Sequence, residues 1–175
     1  MAGEIDRVSV SGTWWRQVAA GLDPLELRSP APDGRWQRGE VVGATYLAES
    51  EATVWAEWYR ALAERAVPPR VWLPCDLWRI EVELEGIADL GDRERLEAAG
   101  LPLPAPGRGS WPAYQGTGER LHGEGFAGLI APSAARPEGR VLCVFRGAAT
   151  PVGLRAGGRA RRVSEPPVPP RGMRT

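Results

Sequence analysis

The chain contains no lysine and no asparagine, a single histidine (His122) and two cysteines among its 175 residues. Each scarcity closes off a class of protein. Two cysteines, Cys75 and Cys143, cannot build a disulfide framework. Cys143 lies inside the apolar run Val141-Leu142-Cys143-Val144-Phe145, where it reads as a small core residue. With one histidine and no Cys/His cluster, a structural zinc site is not expected. No apolar stretch approaches the roughly 20 residues a membrane helix needs. The Met1–Asp6 stretch has no basic patch followed by an apolar segment, so the expectation is a cytoplasmic protein that does not span a membrane. Formal net charge is zero, which argues against a generic nucleic-acid binder. No Walker motif follows a strand and no Gly-x-Gly-x-x-Gly opens a helix, so neither a P-loop nor a Rossmann site is indicated.

What is present is arginine. All 22 basic residues are arginine, so every one stays charged and can fork onto a phosphate or carboxylate. Six of them crowd into residues 151–175 against one acid, Glu165, in a segment rich in Pro and Gly. Such a composition buries little, and the segment 148–175 is read as a disordered basic tail outside the folded domain. Its charge would suit RNA, a partner protein or the acidic body of the chain, or it would be a solvated tail.

The rest reads as one α+β domain, a mostly antiparallel sheet with flanking helices. Gly12 to Val18 forms a first strand. A long polar loop follows, and Arg35-Trp36 and Ala44 to Leu47 read as two short strands. Ser50 is placed to cap a helix running to about Ala66, with Val54, Trp55, Trp58, Tyr59 and Leu62 as its apolar stripe. Trp78, Ile80, Val82 and Leu84 alternate with Arg79, Glu81, Glu83 and Glu85, the pattern of a strand with one buried face. Asp92 to Ala99 predicts a short helix. Ala113 to His122 predicts a broken one, because Gly116 and Gly118 weaken it. Phe126 to Ala131 and Val141 to Phe145 predict core strands.

The candidate chemistry is a constellation. Arg16 and Arg35 stand on early strands, Tyr46 follows Arg35 by 11 residues, Glu57 follows it by 22, and Ser133 comes late, after a core strand. Two guanidinium forks supply the fixed positive charge a dinucleotide pyrophosphate needs. A carboxylate beside a ribose stabilises the oxocarbenium-like sugar left when a base departs. An aromatic wall such as Tyr46 or Trp36 can stack on a heterocycle. Each residue also has an ordinary structural role: a surface arginine, an exposed helix glutamate, a core tyrosine, a cap at Ser50, a turn at Ser133. A Ser133–His122 hydrolase pair lacks the nucleophile elbow such enzymes use.

Trp15-Arg16, Gly34-Arg35-Trp36, Tyr46-Leu47-Ala48-Glu49-Ser50, Glu57 and Leu129-Ile130-Ala131-Pro132-Ser133 together resemble the signature of the RES domain family. The resemblance covers residues 12–147. RES proteins are the toxin half of bacterial toxin–antitoxin pairs. The resemblance implies an ADP-ribosyltransferase-like fold with NAD as substrate and no metal. The nicotinamide bond would be broken by a glycohydrolase, a phosphorylase or an ADP-ribosyltransferase. It implies that Arg16 and Arg35 bind NAD, that Glu57 is catalytic with Arg35 beside it, and that Tyr46, Ser50 and Ser133 line the site. An Xre-like antitoxin protein would be the partner. One departure is Gln17, where many RES toxins carry an aromatic residue. A different reading is a non-catalytic module that binds protein or RNA through the arginine tail and aromatic surface.

Overall fold

Two long strands organise the molecule. In the computed structural model, which describes residues 4–175, β1 (Arg7–Ala19) and β3 (Cys75–Asp89) pair antiparallel along their whole length. Met1–Gly3, part of the N-terminal stretch read above for a leader, lie outside the described residues. Arg7 stands opposite Ala88 and Ala19 opposite Cys75, with a register shift between Val8 and Val10. The other edge of β3 is shared. Its first half takes β6 (Leu154–Val163) antiparallel, and its last three residues take β4 (Gly128–Pro132) parallel. β4 continues to β5 (Arg140–Arg146), and β5 to β2 (Gly43–Ala48). The pair Trp15 and Ala48 then returns β2 to β1, so five strands close a circuit and β6 extends it. Closure of this kind leaves few free edges.

The alternation in β3 works as its sequence pattern requires: Ile80, Val82 and Leu84 are buried, and Arg79, Glu83 and Glu85 are exposed. Helix α1 (Glu51–Glu64) starts where Ser50 accepts the Thr53 amide in a side-chain cap. Its stripe Val54, Trp55, Trp58 and Leu62 packs on Cys75 and Leu77. A second core, built on Trp36, Leu96, Tyr114, Leu121 and Leu129, holds α2 (Arg93–Ala98) and α3 (Trp111–Gly123) to the sheet. Trp36 is 1% exposed and meets the Tyr114 ring edge-on at 5.1 Å. An aromatic side chain of that size contributes on the order of 4–6 kcal/mol of hydrophobic burial.

Three expectations change here. The segment read as a disordered tail supplies β6, with Leu154 buried and Arg161 and Arg162 opposite Leu77 and Asp76. An edge strand exposes one side, so it tolerates arginine and glycine that a central strand would not. α3 is continuous rather than broken. Gly118 is there because a Cβ would stand 1.9 Å from the Trp36 carbonyl oxygen, so the glycine lets the helix approach that backbone. Arg35-Trp36 is a tight turn, closed by a bridge between Gly34 and Gln37, and not a strand.

Candidate active site

A cleft of about 420 Å³ opens between β1, β2 and α1, with the 28–36 loop and the start of α3 forming its other walls. Four of the six residues expected at a site line it: Arg16, Arg35, Tyr46 and Glu57.

Arg35 is set by a polar knot. The Tyr46 hydroxyl donates to Gln37 Oε1 at 2.6 Å and accepts the Trp36 amide at 3.1 Å. Burial pushes the Tyr46 phenol well above its ordinary pKa, so it remains a neutral donor. A side chain at position 34 would strike that hydroxyl, at 2.2 Å from its oxygen, which is why glycine precedes the arginine. Trp36, sunk in the core, fixes the other side. Arg35 is left between them, 7% exposed, with Nη2 donating to the Ala105 carbonyl at 2.8 Å and Nη1 buried without a partner. The Tyr114 ring lies 5.4 Å away. Burial, then the nearby Arg60 charge, lower its pKa from the usual arginine range, against the pull of Glu57. A buried guanidinium with an unmade hydrogen bond is costly, and an anion would relieve that cost.

Arg16 projects from β1, its Nη1 at 3.5 Å from the Tyr46 carbonyl oxygen. Burial first, then the charges of Arg146 and Arg28, bring its pKa down to about 10. Arg146 is buried behind it, donating to Thr45 Oγ1 and the Leu25 carbonyl.

The Glu57 carboxylate accepts four hydrogen bonds. Oε1 accepts the Ser133 hydroxyl at 2.6 Å and the Ala135 amide at 3.3 Å. Oε2 accepts Nε and Nη2 of Arg60 at 2.9 and 2.8 Å. Ser133 itself accepts the amides of Ala135 and Arg136, so its own proton is directed to Glu57. Ser133 is fully buried behind the glutamate and does not line the cleft. Ser50 is the α1 cap, bonded to Thr53, and does not line the cleft either. The Ser133–His122 pairing is not formed: His122 is exposed on α3 and packs beside Phe145. Gln17 is on the cleft wall.

Sequence reasoning missed Arg60, Glu64 and Trp111. Glu57, Arg60 and Glu64 stand at i, i+3 and i+7 on α1, a spacing that puts them on one helix face and was visible in the sequence. Trp111, at the start of α3, left no comparable local signal. Among the described residues, no group of three or more His, Cys, Asp or Glu is placed to hold a metal ion, and no helix is long and apolar enough to cross a membrane.

The molecule is thus an α+β domain with a mostly antiparallel sheet and an arginine-lined cleft built around a fixed glutamate. Residues 7–164 match the family model of the RES domain, and the chain belongs to that family. No curated protein matches it. A chain of the crystal structure of the M. tuberculosis MbcT–MbcA toxin–antitoxin complex has the same fold, with a TM-score of 0.75 at 23% identity over 90% of this chain and 87% of that one.

Proposed function

We propose that this chain is a toxin-like enzyme that binds NAD in the cleft and breaks its bond to nicotinamide. One observation carries the reading: the Glu57 carboxylate, locked by Ser133 and Arg60, shares a cleft with two partly desolvated arginines. Arg16 and Arg35 hold the pyrophosphate. Arg35 has an unpaired buried N–H to offer it, and low dielectric strengthens such contacts. The ring face of Tyr46, its hydroxyl already engaged, contributes an aromatic wall to the nicotinamide end.

The C–N bond pair departs with nicotinamide, which leaves neutral, and positive charge grows on the ribose. Glu57 faces that charge as a preorganised carboxylate and binds the 2′-hydroxyl. Because its orientation is fixed before reaction, little reorganisation is needed as the cation forms. An acceptor oxygen then attacks the sugar carbon and gives up its proton. Water would yield ADP-ribose, inorganic phosphate its 1-phosphate ester, and a protein side chain an ADP-ribosylated product. No metal enters this scheme.

The complex with which the fold is shared pairs a toxin with an antitoxin. That likeness supports an antitoxin as the proposed partner; its being Xre-like and covering the cleft rests on the family resemblance, and the cytoplasm, where NAD is abundant, is the proposed setting. The interaction-module reading has less support, since Arg161 and Arg162 pair with Glu51 and Asp76 inside the domain. Nicotinamide release by purified protein, with and without inorganic phosphate, tests the proposal. Release that requires phosphate identifies a phosphorylase, release without it that yields free ADP-ribose a hydrolase, and release with the ADP-ribose label carried onto protein a transferase. No release, and no label transferred from NAD to protein, would overturn it.

A further inference from the structure

Glu57 faces a difficulty that its neighbours resolve. A carboxylate meant to meet a developing cation loses effect if a cation already sits on it. Arg60 does sit on it, forked onto Oε2 through Nε and Nη2. The third nitrogen, Nη1, donates to Glu64 Oε1 at 2.5 Å. Side-chain exposures are 23%, 12% and 10% for Glu57, Arg60 and Glu64, so water screens the group weakly. Glu64 is itself anchored: Oε1 accepts the Gly107 amide at 2.9 Å, and Arg108 lies 3.8 Å from Oε2. Burial works against the Arg60 charge, but Glu57 and Glu64 outweigh it and its pKa is raised. Burial likewise works against Glu64, and the bond from Arg60 outweighs it and holds its pKa down.

We propose that Arg60 is a positioning residue that fixes the Glu57 carboxylate, and that Glu64 supplies a second negative charge that offsets the Arg60 cation in the potential at the reacting sugar. The inference rests on the NAD-cleaving reading above. Arg60 acts on geometry and Glu64 on potential, so the two substitutions have different signatures.

The test is steady-state NAD cleavage by the full chain carrying Arg60→Met, Arg60→Lys, Glu64→Gln, Glu57→Gln or the Glu57→Gln/Glu64→Gln pair. A charge-assisted fork lost from the carboxylate lowers kcat of Arg60→Met by about ten- to hundred-fold, with KM changed little. Arg60→Lys recovers only part, because an ammonium cannot fork. Glu64→Gln keeps the shape and the bond to Arg60, and lowers kcat by roughly ten-fold through the lost charge. The pair is slower than Glu57→Gln alone by about the Glu64 factor, since a charge that acts on the potential at the sugar still acts when Glu57 is neutral. A wild-type kcat in both Arg60→Met and Glu64→Gln, with the wild type active, would overturn this inference and leave the NAD reading standing. A double variant no slower than Glu57→Gln would also overturn it, because Glu64 would then act only through Glu57. An inactive wild type would overturn both.

Discussion

Ser133 gives its hydroxyl proton to Oε1 of Glu57 at 2.6 Å, across 76 positions of sequence. The contact joins the turn after β4 to the middle of α1. The serine oxygen is already occupied as an acceptor by two amides, so the proton has one direction to go. A buried serine thereby sets the orientation of a cleft-facing acid it supports from behind.

Ser133→Ala removes that support. A hydrogen bond to a charged group contributes roughly 1.5–3 kcal/mol, so kcat is expected to fall by about ten- to hundred-fold. The Arg136 amide loses its acceptor, the Ala135 amide keeps only Glu57 Oε1, and stability falls by about 1–3 kcal/mol. Enzyme kinetics and urea unfolding on the same preparations check both. A variant with wild-type kcat would show that Arg60 and the Ala135 amide suffice to orient Glu57.

Arg16 predicts a trade between stability and binding. Its folded pKa of about 10 lies below that of an unfolded arginine, so the folded state releases the proton first. Stability tied to this group therefore rises as pH climbs from about 10 toward the ordinary arginine value, and at neutral pH the partly desolvated charge is a cost. Arg16→Met is expected to raise stability at pH 7 by on the order of 1–2 kcal/mol while weakening NAD binding. Urea midpoints and titration calorimetry give the two numbers. A destabilised variant with unchanged affinity would contradict the assignment.

Two glycines of α3 separate packing from propensity. Gly116 has open space around its would-be Cβ, whereas at Gly118 that atom meets the Trp36 carbonyl. Gly116→Ala is expected to stabilise the protein by about 0.5–1 kcal/mol, as removal of a helix glycine does. Gly118→Ala is expected to destabilise it by about 1–3 kcal/mol, because α3 must move away from the 34–37 turn. Since that turn carries Arg35, the second variant also loses NAD affinity. Thermal unfolding of both distinguishes them, and equal effects would mean α3 does not press on Trp36.

Residues beyond the family match act as a strap. The Tyr59 hydroxyl donates to the Pro167 carbonyl, the Arg174 amide to Ala135 at 2.7 Å, and Arg174 Nη2 to Pro104 at 3.3 Å. The last two contacts reach the turn behind Glu57 and the loop that holds Arg35. Removing residues 165–175 is expected to cost about 2–4 kcal/mol of stability, at roughly 1 kcal/mol for each bond with its packing. It is also expected to raise KM more than it lowers kcat. Unchanged thermal stability would mean that the segment does not pack.

Much of this molecule was legible before folding. Ser50 as a cap, the 3.6-residue stripe of α1 and the alternation in β3 are local signals, and local physics decides them. β6 was not legible, because Leu154-Arg155-Ala156-Gly157-Gly158-Arg159 has a strand's alternation only once β3 offers it an edge. The turn at Arg35 was hidden for a similar reason: Tyr46 and Gln37, which shape it, act through side-chain hydrogen bonds that no propensity records. At the site, the arginines, Tyr46 and Glu57 were picked out by residue type and order. The burial of Ser133 behind Glu57 depends on where β4 ends relative to α1, which only the fold sets.

Glu57 carries the chemistry proposed for this cleft. Nicotinamide release from NAD by wild type and Glu57→Gln, measured side by side with NAD affinity, tests it most directly. A turnover loss of at least about a hundred-fold is expected in the variant, with affinity within a few-fold, because the amide keeps the shape and loses the charge. Wild-type turnover in Glu57→Gln would contradict it.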